Sequence, residues 1–200
     1  MRTIRLASGS LSTFWMGAGG SSQGSQIAEF AISLPLLVLF VVGIFDFSGA
    51  LTLKQKLTNA AREGARVAAA DPANDLGRSS APIPASIGDA IQEVDNYLLS
   101  EKINDCGLNT AFPTQTAGSL SWVATATGCP GGPSATLLLT INRGCVTPQT
   151  VGQTTTYMEN TCVTIRYPYS WRFNGVSGLF GRGLTIPSGL TATAVMFNEN

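Results

Sequence analysis

"QGSQIAEFAISLPLLVLFVVGIFDF" (Gln23–Phe47) decides how the rest of the chain is read. Between Phe30 and Phe45 it carries no charge, and its flanking charges are Glu29 and Asp46. A core helix of a soluble domain rarely runs sixteen residues without a charge. From Ile27 to Asp46 the segment is twenty residues, about 30 Å as a helix, which matches the hydrocarbon thickness of a bilayer. A secretory signal peptide is the rival reading. Arg2 and Arg5 supply a basic start, and Ser48-Gly49-Ala50 offers small residues for a signal peptidase. The apolar stretch is longer than a usual signal core, however, and its helical pattern does not break at Ala50.

Downstream, Ala50, Leu53, Leu57, Ala60, Ala61, Gly64, Val67 and Ala68 recur at three- and four-residue steps, the stripe of an amphipathic helix. Lys54, Lys56, Arg62, Glu63 and Arg66 fall largely off that stripe. Pro72 disfavours helical geometry at Asp71 and ends the element. One helix is therefore expected from about Ile27 to Ala70, some 66 Å long, lipid-soluble in its first half and amphipathic in its second. A membrane anchor alone does not need the second half.

The remainder changes character. Of the 200 residues, 12% are charged and 44% hydrophobic, and beyond Ala70 the chain is rich in Thr, Gly, Asn, Pro and Ser with short apolar runs. The layout is a leader, an apolar helix and a polar globular part. Net charge is zero, with no basic patch, so nucleic-acid binding is not expected. The chain has no histidine, which removes Ser-His-Asp and Cys-His chemistry. Asp71, Asn74 and Asp75 hint at a calcium loop, but its remaining ligand positions and glycine are missing. No catalytic residue, metal site or cofactor is expected, and the protein is read as a non-enzyme.

Four cysteines, Cys106, Cys129, Cys145 and Cys162, lie beyond the helix, with no C-x-x-C pair among them. Widely spaced cysteines in a small Thr/Gly-rich domain read as two disulfides made in an oxidising compartment. "ATLLLTINRGC" and "TCVTIRYPYSW" resemble two strands around a polar loop, which sets Cys145 opposite Cys162 at its base. Elimination pairs Cys106 with Cys129. Ile87, Ile91, Val94 and Leu98 share one face of a second helix, from about Ser86 to Ile103, with Ser86 as cap and Asp89 as its partner. Strands are expected near Leu120–Thr127, Thr136–Asn142, Thr161–Trp171 and Leu190–Phe197. Trp171 and Phe173 are read as core aromatics, with exposed contacts the alternative.

Glycine, four residues, glutamate, then a long apolar helix: Gly24, Glu29 and the run after them resemble the class III signal of type IV pilins and pseudopilins. "LTLKQKLTNAAREGARVAAA" (Leu51–Ala70), with Phe45-Asp46-Phe47-Ser48 before it, is similar to the TadE-like family. These are minor pseudopilins of the tight-adherence (Tad/Flp) pilus system. The resemblance covers Gly24 to Ala70 closely and the rest in outline. It implies cleavage by a prepilin peptidase after Gly24, leaving Ser25 as the new amino terminus where type IV pilins carry Phe. It divides the chain into a leader (1–24), a long helix (25–70, spanning the membrane over about 27–46) and a globular domain (71–200).

The fold it implies is α+β and pilin-like, a long amino-terminal helix packed on a small antiparallel sheet with two disulfides. The function it implies is a minor pseudopilin or assembly component of a Tad-type pilus or a related type II/IV secretion-like system. Such a component contributes to pilus biogenesis and surface adherence. Its partners would be the prepilin peptidase, the major pilin, other minor pseudopilins and membrane lipid. It would sit in the bacterial inner membrane as a single-pass protein with a periplasmic carboxy-terminal domain, or on the pilus. The alternative is a single-span, membrane-anchored periplasmic binding or adhesion domain that never enters a filament.

Individual residues keep two readings each. Glu29 either pairs with the free amino group of Ser25 in a neighbouring subunit or turns to the cytoplasmic headgroups. Pro35 either marks the local melting linked to pilin assembly or is a plain membrane-helix proline. Asp46 is expected to reach the far headgroup region. The small residues of Ala60–Arg66 can dock a partner helix or pack on the chain's own domain, and both can hold on opposite faces. Charge bias leaves orientation open, since Arg2 and Arg5 favour a cytoplasmic amino terminus while Lys54, Lys56 and Arg62 follow the span closely.

Overall fold

Helix α1 spans Ser22–Ala70, five residues earlier at its start than the apolar pattern alone predicts. In this computed structural model the structure describes residues 22–72, 74, 76, 83–130, 134–171 and 188–198. Most of the leader, Asp75 and Phe173 lie outside them. The chain divides into two compact units, Met1–Val42 and Gly43–Asn200. The described part of the first is helix alone. The second holds the rest of α1 and everything after it.

The α1 stop falls where Pro72 places it, with the Asp71 amide making the last helical bond to Val67 O at 3.3 Å. Helix α2, Ala85–Ser100, is shorter at its end than the expected Ser86–Ile103. Lys102 adopts positive φ (57°) and breaks the helical path before Ile103. Ser86 is not the cap. Pro84 occupies the N-cap position, and Ser86 is buried on the packed face of the helix.

Five antiparallel strands follow in a meander, β1 (Thr114–Gln115), β2 (Ser121–Ala126), β3 (Leu137–Val151), β4 (Thr154–Pro168) and β5 (Gly189–Phe197), in that spatial order. Alternation of burial aims one face at the core. Register aligns Trp122, Ile141, Val163 and Ala194 in one row across β2 to β5, and Ala124, Leu139, Ile165 and Ala192 in the next. All eight are buried, and they share a single core with Leu57, Ala60, Ala61, Ala65 and Ala68 of α1 and Ile87, Ala90, Ile91, Val94 and Leu98 of α2. Each large apolar side chain removed from water here contributes roughly 1.5–3 kcal/mol.

Gly64 shows why the α1 stripe is made of small residues. A Cβ at this position would lie 2.6 Å from Val94 Cγ2, 3.4 Å from Ala90 O and 3.9 Å from Val163 Cγ1. The two helices and the sheet meet at this point, and only hydrogen fits between them.

The expected polar loop between Cys145 and Cys162 is instead a hairpin. Strands β3 and β4 stay paired to Val151↔Thr154 and turn through Gly152, whose φ is +66°. β2 pairs with β3 only as far as Asn142, and β5 with β4 only from Asn160. The outer part of the hairpin is thus a two-stranded ribbon, which tolerates Pro148 because no third strand needs its missing N–H. The register shift between Asn142 and Cys145 and the Cys145–Cys162 disulfide sit at its base. The second disulfide joins Cys106 to Cys129, so both pairings match those expected from the sequence.

Candidate functional site

In the first unit, Gly24 and Glu29 are exposed on α1, and Pro35 lies inside it. The Gly24–Ser25 peptide falls in the first helical turn, where amide groups lack intrahelical partners and opening costs least. Around Glu29, Ile27 (70% exposed), Phe30 (63%) and Ile32 (79%) present an apolar surface. The one hydroxyl within this run, Ser33 Oγ, donates to Phe30 O at 3.1 Å, which satisfies it without water. By length and hydropathy α1 qualifies to cross a membrane, and its apolar window is not buried within the protein. It is a membrane-anchor candidate.

In the second unit Asp46 is not where it was expected. It is buried (6% exposed), and the Tyr169 hydroxyl lies 3.1 Å from its Oδ1 and 3.2 Å from its main-chain carbonyl. The charge that ends the apolar run turns into the domain rather than out to headgroups. A buried carboxylate needs a donor, and a tyrosine supplies one. The ring of Trp171 meets that of Tyr169 edge-on, with centroids 4.9 Å apart. Trp171 is half-buried. Ile44, Phe45, Phe47 and Leu51, on the same stretch of α1, stay exposed.

The stripe over Ala60–Arg66 is used internally. Ala60, Ala61, Gly64 and Ala65 are buried in the domain core, while Arg62 and Arg66 remain exposed. Arg66 pairs with Glu63 at 2.8 Å, which raises its pKa through that hydrogen bond and charge. Lys56 reaches the end of α2, at 3.0 Å from Glu101 Oε2 and 3.2 Å from its carbonyl. At the other end of α1, the buried Arg143 donates through Nη2 to Asp71 O at 3.0 Å. A cation there satisfies a terminal carbonyl and complements the helix dipole.

A second carboxylate is turned inward on α2. Asp95 is buried, and its pKa is raised by burial first, then by the charge of Asp105 and a hydrogen bond to it. Asp105 Oδ2 accepts from the Gly107 amide at 3.1 Å, beside the Cys106–Cys129 bridge. Tyr167 donates to Asn104 O at 3.0 Å, and burial and the Asp105 charge raise its pKa. Among the described residues no group of three or more potential metal ligands occurs.

A cleft of about 520 Å³ opens at the end of β4, lined by Arg166, Tyr169, Ser170, Trp171, Ser134 and others. Sequence reading named Trp171, as a core aromatic or an exposed contact, and named neither Tyr169 nor Arg143. Tyr169 lies 123 residues from Asp46, and no local pattern connects them.

The family comparison covers the apolar run of α1 and most of its small-residue stripe. Residues 24–66 match the family of TadE-like proteins. The matched segment begins at Gly24 and ends four residues before α1 does. It is consistent with a TadE-like protein associated with the Tad pilus. The sheet and the disulfides lie outside it. Comparison with curated proteins and with solved structures found no match.

Proposed function

We propose that this protein is a non-catalytic minor pseudopilin of a Tad-type pilus, held in the inner membrane by α1 with its disulfide-bonded domain in the periplasm. One observation carries the reading. The TadE-like match starts at Gly24, and Gly24, Glu29 and the apolar run sit on one continuous helix. A prepilin peptidase would cut after Gly24, taking away Arg2 and Arg5 and leaving a net charge of −2 on the mature chain.

The new amino group of Ser25 and the carboxylate of Glu29 then have complementary roles. A carboxylate within lipid is costly unless neutralised, and the amino terminus of a neighbouring subunit neutralises it while fixing the axial step between subunits. Adherence would follow from incorporation into the pilus, with the major pilin and other pseudopilins as partners.

Intact mass of the membrane-extracted protein tests this. A mature chain beginning at Ser25, lost when Gly24→Leu blocks the cut, is the expected result. A chain beginning at Leu51 would instead indicate an ordinary secreted domain.

A further inference from the structure

The turn of α1 at which the apolar run ends has two different sides. Ile44 (68% exposed), Phe45 (75%), Phe47 (57%) and Leu51 (47%) face outward, an apolar surface that water does not favour. Asp46, on the same turns, faces inward to Tyr169. A Cβ on Gly49 would stand 3.4 Å from the same Tyr169 hydroxyl, so the aromatic ring lies directly on this stretch of helix. Trp171 packs edge-on against that ring.

Tyrosine and tryptophan concentrate where lipid meets water, because each has an apolar ring and a polar tip. Both rings line the 520 Å³ cleft, where Arg166 is the one charged residue among the described lining residues, accompanied by the hydroxyls of Ser134 and Ser170. Arg166 is exposed on the outer face of β4.

We propose that Tyr169, Trp171 and Arg166 form a lipid-seating site, in which the two rings lie at the bilayer interface and Arg166 takes the phosphate of an anionic phospholipid headgroup. The proposal rests on α1 being a membrane span. Tyr169 lies against the stretch of α1 whose outward side carries the exposed apolar residues Ile44, Phe45, Phe47 and Leu51, and this selects lipid as the occupant. Among the described lining residues there is one cation and no acid, which selects an anionic headgroup, since an arginine fork matches phosphate oxygens. By holding Asp46, Tyr169 sets the height at which the domain rides on the membrane, and Arg166 then makes that seating depend on lipid charge.

Quenching by brominated phospholipids tests the site on the full chain in phosphatidylcholine vesicles, with and without phosphatidylglycerol. The difference in emission between the parent chain and Trp171→Phe isolates Trp171, and a Phe40→Trp variant reports on the helix. Disulfide mapping confirms that each variant is folded. Trp171 should be quenched by bromine near the glycerol end of the acyl chains more than by bromine near their termini, and more strongly with phosphatidylglycerol present. Arg166→Gln should abolish that lipid-charge effect, lowering the ratio of seated to unseated domain about fivefold. Unquenched Trp171 beside a quenched Phe40→Trp overturns the seating and leaves the span intact. If neither is quenched, the span and the seating fall together. Quenching that ignores phosphatidylglycerol and Arg166→Gln overturns the headgroup assignment.

Discussion

The hydroxyl of Tyr169 is shared between Oδ1 of Asp46, at 3.1 Å, and the main-chain carbonyl of the same residue, at 3.2 Å. One side chain from the end of the sheet thereby holds the turn at which α1 leaves its apolar run. Tyr169→Phe keeps the ring and deletes the donor to a buried carboxylate. Its expected cost is about 1–2 kcal/mol, read as a lower denaturation midpoint in detergent. An unchanged midpoint would mean that the hydroxyl does not hold the helix.

Gly64→Ala sets helix propensity against packing. Alanine is the better helix former by about 1 kcal/mol. Its Cβ, however, would stand 2.6 Å from Val94 Cγ2, a β-branched side chain that cannot swing aside. Overpacking should win, with a net loss of about 1–3 kcal/mol. Val94→Ala in the same chain should recover much of that loss, a coupling that a double-mutant thermal unfolding series measures.

Removing the Cys145–Cys162 bridge with paired serines should cost about 3 kcal/mol for its 17-residue separation. The loss should be greatest in the ribbon, which has no third strand to hold it. Amide exchange at Thr147–Glu159 should accelerate more than in the buried rows of β3 and β4. Peptide maps of the oxidised protein should show Cys106–Cys129 and Cys145–Cys162 with no free thiol.

Asp95 predicts a pH dependence of defined sign. Its folded pKa is raised, by burial first and then by Asp105, so the folded chain holds this proton more tightly than the unfolded chain. Stability from this group is therefore present below the unfolded carboxylate pKa, about 3.9, and is lost as pH rises through the folded value. Asp95→Asn should stabilise the protein at neutral pH and flatten the fall in stability above about pH 4. A steeper fall in that variant would contradict the assignment.

Glu29→Gln separates processing from assembly. On the pairing proposed above, this variant loses a charge-assisted contact of about 1.5–3 kcal/mol, so cleavage and membrane fractionation should stay normal while incorporation into pili is abolished. Wild-type assembly in this variant would show that Glu29 has no pairing role.

Much of the architecture was legible in the sequence because it rests on local periodicity. The uncharged run Phe30–Phe45, the three- and four-residue recurrence from Ala50 to Ala68 and the stop at Pro72 specify α1 without reference to anything else. Apolar residues at Ile87, Ile91, Val94 and Leu98 specify α2 in the same way, and two strand patterns flanking Cys145 and Cys162 were enough to pair the cysteines. The ribbon Val146–Glu159 was not legible. Both its faces meet solvent, so its Thr-rich strands carry no alternation, and it reads as a loop.

What tertiary structure alone decided is which way each ambiguous side chain faces. The small residues of Ala60–Arg66 suit a partner helix or the protein's own sheet equally well, and Val94 and Val163 occupy the face that holds Gly64. Asp46 at the end of an apolar run reads as a headgroup contact until a tyrosine 123 residues away supplies a donor. Arg143 has no local signal of a role, and its partner appears only where the end of α1 places a carbonyl beside it. Periodicity is written into neighbouring residues, whereas the partner of a buried polar group is chosen by chain segments that meet only after folding.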